Sequence, residues 1–156
     1  EVMNNDILVA LDETVARHGL TPHDVKVEVT EGVLVDSERA HDWVIRCQER
    51  GFRVVLDDFG TGYSSLSYLR HMPLDTLKID KSFVGSICEE EAARAIVNAI
   101  IQIAKALGMT VVAEGVETEE VREELAEMGC DFGQGYYFAR PLKPDALIAL
   151  LGKHAA

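Results

Sequence analysis

With 156 residues and 47% hydrophobic content, the chain is long enough for one sizeable core and reads as a single soluble globular unit. Its 15 Lys and Arg against 27 Asp and Glu leave a net charge of −12, which disfavours bulk attraction to polymeric nucleic acid or to an anionic membrane surface. Cys47, Cys88 and Cys130 are scattered without metal spacing and read as thiols in a reducing cytosol; no apolar run reaches the roughly 18 residues of a membrane span, and no signal peptide opens the chain. A first residue of Glu1 instead of Met reads as a piece of a longer polypeptide.

In chain order, apolar residues at helical spacing predict a helix from Ile7 to Gly19, and the alternation of Val25 to Thr30 predicts a strand. Helix Ser37 to Gly51 stops at a glycine and feeds the strand Phe52 to Asp57; a short helical piece follows from Ser64 to Arg70. Next come a strand from Thr76 to Asp80, a long helix from Glu91 to Gly108, and a strand from Met109 to Gly115. A helix from Thr118 to Gly129 starts like an N-capped helix, with carboxylates in its first turn. A last strand spans about Asp131 to Tyr136, and a helix starts near Pro144.

This is the strand and helix rhythm of an α/β protein with a parallel sheet. An open doubly wound sheet and part of a (β/α)8 barrel both fit it. The polar residues favour the barrel, because strand after strand carries a functional-looking side chain at its C-terminal end: Glu28 and Glu31, Asp57 and Asp58, Lys78 and Asp80, Glu114 and Glu117, then Gln134. Barrel strand ends converge on one mouth, whereas an open sheet spreads them along an edge. A complete barrel takes about 250 residues, so the expectation is an incomplete TIM-type barrel of about five βα units. The first helix has no strand before it, which places the missing part at the N-terminus and leaves sheet edges and apolar faces to be covered.

Carboxylates without a histidine cluster form a hard, oxygen-rich donor set suited to Mg²⁺, Mn²⁺ or Ca²⁺ and not to zinc. The five histidines show no ligand pattern. Crowding Glu28, Asp57, Asp58 and Glu114 in one mouth calls for a cation, since mutual repulsion would otherwise raise their pKa values. Two divalent ions sharing one aspartate are a known device for phosphodiester hydrolysis, and the adjacent Asp57 and Asp58 fit it, with Lys78 as a cation for water or phosphate. Each residue also has a plainer reading. Asp57 and Asp58 could cap a strand end; Lys26 with Glu28, and Lys78 with Asp80, could be exposed pairs; the Glu114 to Glu120 run could be only a helix start; Gln134 could be turn polarity. Tyr136, Tyr137 and Phe138 read as core rather than as stacking platforms. Asp58-Phe59-Gly60 matches a kinase tripeptide without the accompanying kinase segments, and Gly60 to Ser65 lacks the lysine and spacing of a P-loop.

In "EVTEG" (Glu28 to Gly32), "DDFGTGYSSLSYL" (Asp57 to Leu69), "LKIDKSFV" (Leu77 to Val84), "VVAEGVET" (Val111 to Thr118) and "GQGYYFARPL" (Gly133 to Leu142), the sequence resembles the EAL family, the cyclic di-GMP phosphodiesterase domains of bacterial signalling proteins. The resemblance implies that residues 1–156 are the C-terminal part of a single EAL domain with a modified (β/α)8 barrel fold. It implies Glu28 and Asp57 as ligands of a first Mg²⁺ or Mn²⁺, with Asp57 bridging to a second ion that Asp58 and Glu114 help to hold. Lys78 would position or activate the attacking water, Glu31 would brace the Gly60 to Gly62 loop, and Gln134, Asp80 and Glu117 would serve substrate binding. The implied reaction opens cyclic di-GMP to the linear dinucleotide. A homodimer beside the Asp58 to Gly62 loop is implied too, located in the cytoplasm or on the cytoplasmic face of a membrane-anchored parent. The glutamate of the EAL motif itself and the family's metal-binding Asn have no counterpart in these 156 residues, so the stretch alone is expected to be inactive or nearly so. A receptor that holds cyclic di-GMP without cutting it, and a scaffold for other signalling domains, are the competing readings.

Overall fold

The computed structural model describes residues 5–35, 37–62 and 69–154; the short helix expected over Ser64 to Arg70 lies almost wholly outside the described residues. Five strands, β1 (Lys26–Thr30), β2 (Arg53–Phe59), β3 (Thr76–Ile79), β4 (Thr110–Glu114) and β5 (Phe132–Gln134), form one sheet. Every neighbouring pair is parallel, and the spatial order is the chain order, β1-β2-β3-β4-β5. That order settles the choice of architecture. A doubly wound sheet reverses direction at a switch point, whereas this one steps the same way each time, as a (β/α) barrel does.

Among the described residues the helices are α1 (Asn5–Arg17), α2 (Ser37–Glu49), α3 (Lys81–Val84), α4 (Glu91–Ala106), α5 (Glu119–Glu127) and α6 (Pro144–His154). In α2 and α4 the apolar residues recur at three- and four-residue steps, so each presents a stripe to the sheet. On α2 the stripe is Ala40, Trp43, Val44 and Cys47; on α4 it is Val97, Ile100, Ile101 and Ala104, all buried. Helix α5 begins as its sequence predicts, with the Thr118 hydroxyl accepting from Val121 N–H at 3.3 Å. Two short 3₁₀ segments, Pro22–Asp24 and Glu31–Val35, flank β1 and have no counterpart in the predicted elements.

Strand residues divide by parity, because successive side chains leave opposite faces of a strand. Val29, Val54, Leu56, Leu77, Ile79, Val111 and Ala113 join the core against the helices. Lys26, Glu28, Thr30, Asp57, Thr76, Lys78 and Glu114 leave by the other face, which in a barrel lines the interior. The sheet therefore carries an apolar outer layer and a charged inner one, and the candidate site residues belong to the inner one.

One expectation fails. Tyr136, Tyr137 and Phe138 are not core: their exposures are 54%, 37% and 51%. They follow β5, which is an edge strand, so among the described residues no further strand covers them. Their contacts are local: Tyr137 and Phe138 meet edge to face at 5.2 Å, and the Arg140 guanidinium lies 4.6 Å over the Tyr136 ring. Leu147, Ile148 and Leu151 of α6 are exposed as well.

Candidate metal centre

The site lies at the C-terminal edge of β2, β3 and β4. Adjacent Asp57 and Asp58 present a geometric problem, since a regular strand would send them to opposite faces. The backbone resolves it with an irregularity. The β2–β3 register shifts between Leu56 and Phe59, and Asp58 takes φ of 55°, the left-handed region that Asp tolerates better than most residues. Re-aimed in this way, Asp58 joins Asp57 and Glu114, each offering one carboxylate oxygen within 4.8 Å of the other two.

At the centre of the inner face stands Lys78, only 7% exposed. Its ammonium lies 2.8 Å from Asp57 Oδ1, 2.7 Å from Glu114 Oε1 and 3.3 Å from Glu28 Oε1. Burial alone would lower the lysine's pKa; the close carboxylates of Asp57 and Glu114 outweigh that and hold it above the ordinary lysine value. Glu28 is half exposed and stands outside the tight oxygen cluster, reaching it through Lys78. The plainer readings for these residues therefore do not describe the structure: Glu28 pairs with Lys78, and Lys78 pairs across the sheet.

The donor set suits a hard cation. It consists of carboxylate oxygens alone, and Asp57 Oδ1 is buried with no hydrogen bond of good geometry among the described residues, its contact to Lys78 being an ion pair. Asp57, Asp58 and Glu114 are the residues placed to hold such an ion.

Glu31 works behind the cluster. The residue is 4% exposed, and its Oε2 accepts from Gly60 N–H at 2.9 Å and Gly62 N–H at 3.1 Å, tying down the loop that follows Asp58. A Cβ at Gly62 would stand 3.1 Å from the Glu31 carboxyl carbon, so any side chain there would press on the carboxylate that holds the loop. Asp80, expected at the substrate, caps α3, its Oδ1 accepting from Ser82 N–H at 2.9 Å, and hydrogen bonds from the Ser82 hydroxyl and then from its N–H hold the Asp80 pKa below the usual carboxylate range. Gln134 sits beside Glu114 in the β4–β5 register with its side chain exposed, while its backbone carbonyl accepts from Val116 N–H at 3.1 Å. Glu117 is exposed one residue before the α5 cap. Sequence reasoning missed the three-carboxylate pairing of Lys78. The available signal was parity, for Lys78 alternates with the core residues Leu77 and Ile79 and so had to face inward.

Fold and site together define a (β/α)-barrel-type sheet whose strand ends carry an acidic, cation-compatible cluster around a buried lysine. The chain belongs to the EAL domain family, whose model matches residues 1–141. Among curated relatives, an uncharacterized protein of Azorhizobium caulinodans is 44% identical over 146 residues. The bifunctional diguanylate cyclase/cyclic di-GMP phosphodiesterase MucR of Pseudomonas aeruginosa is 39% identical over 134 residues, or 85% of this chain. The chain spans about a fifth of the length of these relatives, 20% of each. Among solved structures, the EAL domain of DcpA from Mycobacterium smegmatis superposes with a TM-score of 0.90 at 37% identity, covering 96% of this chain and 68% of that one. BlrP1 of Klebsiella pneumoniae, solved with manganese and cyclic di-GMP, superposes at 0.82 and 34% identity, covering 88% of this chain and 36% of that one.

Proposed function

We propose that this chain supplies most of the catalytic face of a cyclic di-GMP phosphodiesterase, as the C-terminal part of one EAL domain. The observation that carries this reading is the convergence of Asp57, Asp58 and Glu114 on one point beside the buried Lys78. The match to 68% of the DcpA domain, and the manganese and cyclic di-GMP bound by BlrP1, support it.

Asp57, Asp58 and Glu114, with Glu28 alongside, would hold Mg²⁺ or Mn²⁺, two ions in a complete site. Such ions supply an activated water and neutralisation of the charge that develops on the phosphodiester. The chain's own residues do the rest. Lys78 presents a fixed ammonium that donates to the water or to a phosphate oxygen. Glu31 keeps the Gly60 to Gly62 backbone in place so that Asp58 stays aimed at the cluster. Gln134, on the neighbouring strand, offers an amide to the nucleotide, and Glu117 supports the rim. The reaction adds one water across one P–O bond, opening the ring to the linear dinucleotide. The same resemblance supports a homodimer beside the Asp58 to Gly62 loop and a cytoplasmic setting. Residues 1–156 by themselves carry neither an EAL-motif glutamate nor the following Asn, and by themselves turn over slowly or not at all.

The test measures binding and product formation in the full-length protein with Ca²⁺ and with Mn²⁺. The reading expects binding with both ions and linear dinucleotide with Mn²⁺. Binding without product under either ion would overturn it in favour of a receptor, and no binding at all would leave only a scaffold.

A further inference from the structure

The geometry points to α3, with its cap Asp80 and its ring Phe83, as a positioning element that sets the Asp58 and Glu114 carboxylates relative to one another. This rests on the proposed cation site and adds residues to it that touch neither ion nor substrate.

Helix α3 follows β3 after a single residue, and β3 lies between the two strands that carry the carboxylates. The helix touches the turn beyond each of them. Gly60, two residues past Asp58, has φ of 103°, and a Cβ there would stand 2.6 Å from Phe83 Cε2 and 2.8 Å from Cζ. The edge of the ring thus fills the place where a side chain would grow. Gly115, directly after Glu114, has φ of 71°, and a Cβ there would stand 2.5 Å from Lys81 Cβ and 3.2 Å from Lys81 Cα. At both positions glycine is required twice over, by its backbone conformation and by the approach of α3. The turn after Asp58 is thereby gripped from two sides, by the Glu31 carboxylate on its N–H groups and by the Phe83 ring on its Cα.

A four-residue helix has little stability of its own, so its placement needs anchors. Two are visible: Asp80 Oδ1 takes the Ser82 N–H at the start, and Val84, fully buried, plugs into the core at the end. Between them, Phe83 is driven toward one turn and Lys81 toward the other. Removing the ring or the cap would let the two turns drift independently, and the carboxylate spacing with them. Groups that orient metal-binding residues without touching the metal typically change affinity or activity by about 10- to 100-fold when removed.

The experiment is calorimetric titration of Mn²⁺ into the full-length protein and its Phe83→Ala, Phe83→Leu, Asp80→Ala and Asp80→Asn variants, with Val97→Ala of α4 as a control for loss of core packing alone. F83A and D80A are expected to weaken Mn²⁺ binding about tenfold, while F83L and D80N, which retain bulk and a capping oxygen, stay within about twofold. V97A is expected to lower the melting temperature without weakening Mn²⁺ binding. The proposal is overturned if F83A and D80A bind Mn²⁺ as the parent does, or lose no more than V97A. Should F83A fail to fold, the D80A and D80N pair decides. A parent that binds Mn²⁺ but leaves cyclic di-GMP intact refutes the phosphodiesterase reading while this comparison still stands; a parent that binds no Mn²⁺ refutes both.

Discussion

Lys78 is the residue on which the site turns. Asp57 and Glu114 can crowd at one set of strand ends because its ammonium reaches both, and Glu28 at the rim as well, with side-chain exposure of only 9%. Lys78→Met leaves the part-buried Asp57 and Glu114 facing each other without a counter-charge, so it is expected to destabilise the protein by about 2 kcal/mol in chelator, below the range for removing one partner of a fully buried pair. Added Mn²⁺ should restore part of that loss, read from urea melts with and without the ion; equal destabilisation in both conditions would mean that no cation takes the lysine's place. The Asp57–Asp58 doublet was legible as chemistry in the sequence, but its geometry was not. Strand periodicity sends the pair to opposite faces, and the left-handed backbone at Asp58 that reunites them has no marker beyond the residue's tolerance for it. Asp80 shows the opposite case. Its place in "LKIDKSFV" suggested the substrate, yet Asp followed two residues later by a free N–H at a helix start is also a cap signal, and the cap is what formed.

At the scale of elements, the loop after Asp58 is held from both sides. Gly60→Ala must place a methyl group against Phe83 in a backbone region that alanine avoids, so a loss of about 1–3 kcal/mol is expected. Combined with F83A, part of that loss should vanish: a double-mutant cycle by chemical denaturation should give a coupling above about 0.5 kcal/mol, and additivity within about 0.3 kcal/mol would show that ring and glycine do not press on one another. The five strands were readable to within a residue or two at most ends because apolar alternation and glycine stops mark them. Gly19 and Gly51 end α1 and α2 in the left-handed conformation, as their positions predict. Helix α3 and the 3₁₀ segment Glu31–Val35 escaped because elements of four or five residues are too short to show periodicity, and their placement depends on contacts made far along the chain.

At the scale of the whole molecule, the stepwise strand order makes a barrel-type sheet with one apolar and one charged face. The aromatic run Tyr136 to Phe138 was misread because composition alone cannot say whether an edge strand has a neighbour. Beneath the sheet the packing is tight: Cys47 is fully buried, and burial pushes its thiol up to about 11. In native protein at pH 8, alkylation should therefore label the exposed Cys88 first and leave Cys47 untouched until the chain unfolds, which peptide mass mapping would show; early labelling of Cys47 would contradict the core described above. The central claim, that Asp57 and its neighbours hold the ions that open cyclic di-GMP, is tested most directly by turnover in the full-length protein with Mn²⁺, comparing the parent with Asp57→Asn. Linear dinucleotide from the parent, and at least about 100-fold less from D57N, is the predicted result for loss of a group that stabilises developing charge. Comparable turnover by the two proteins, or none by the parent with Mg²⁺ or Mn²⁺, would contradict it.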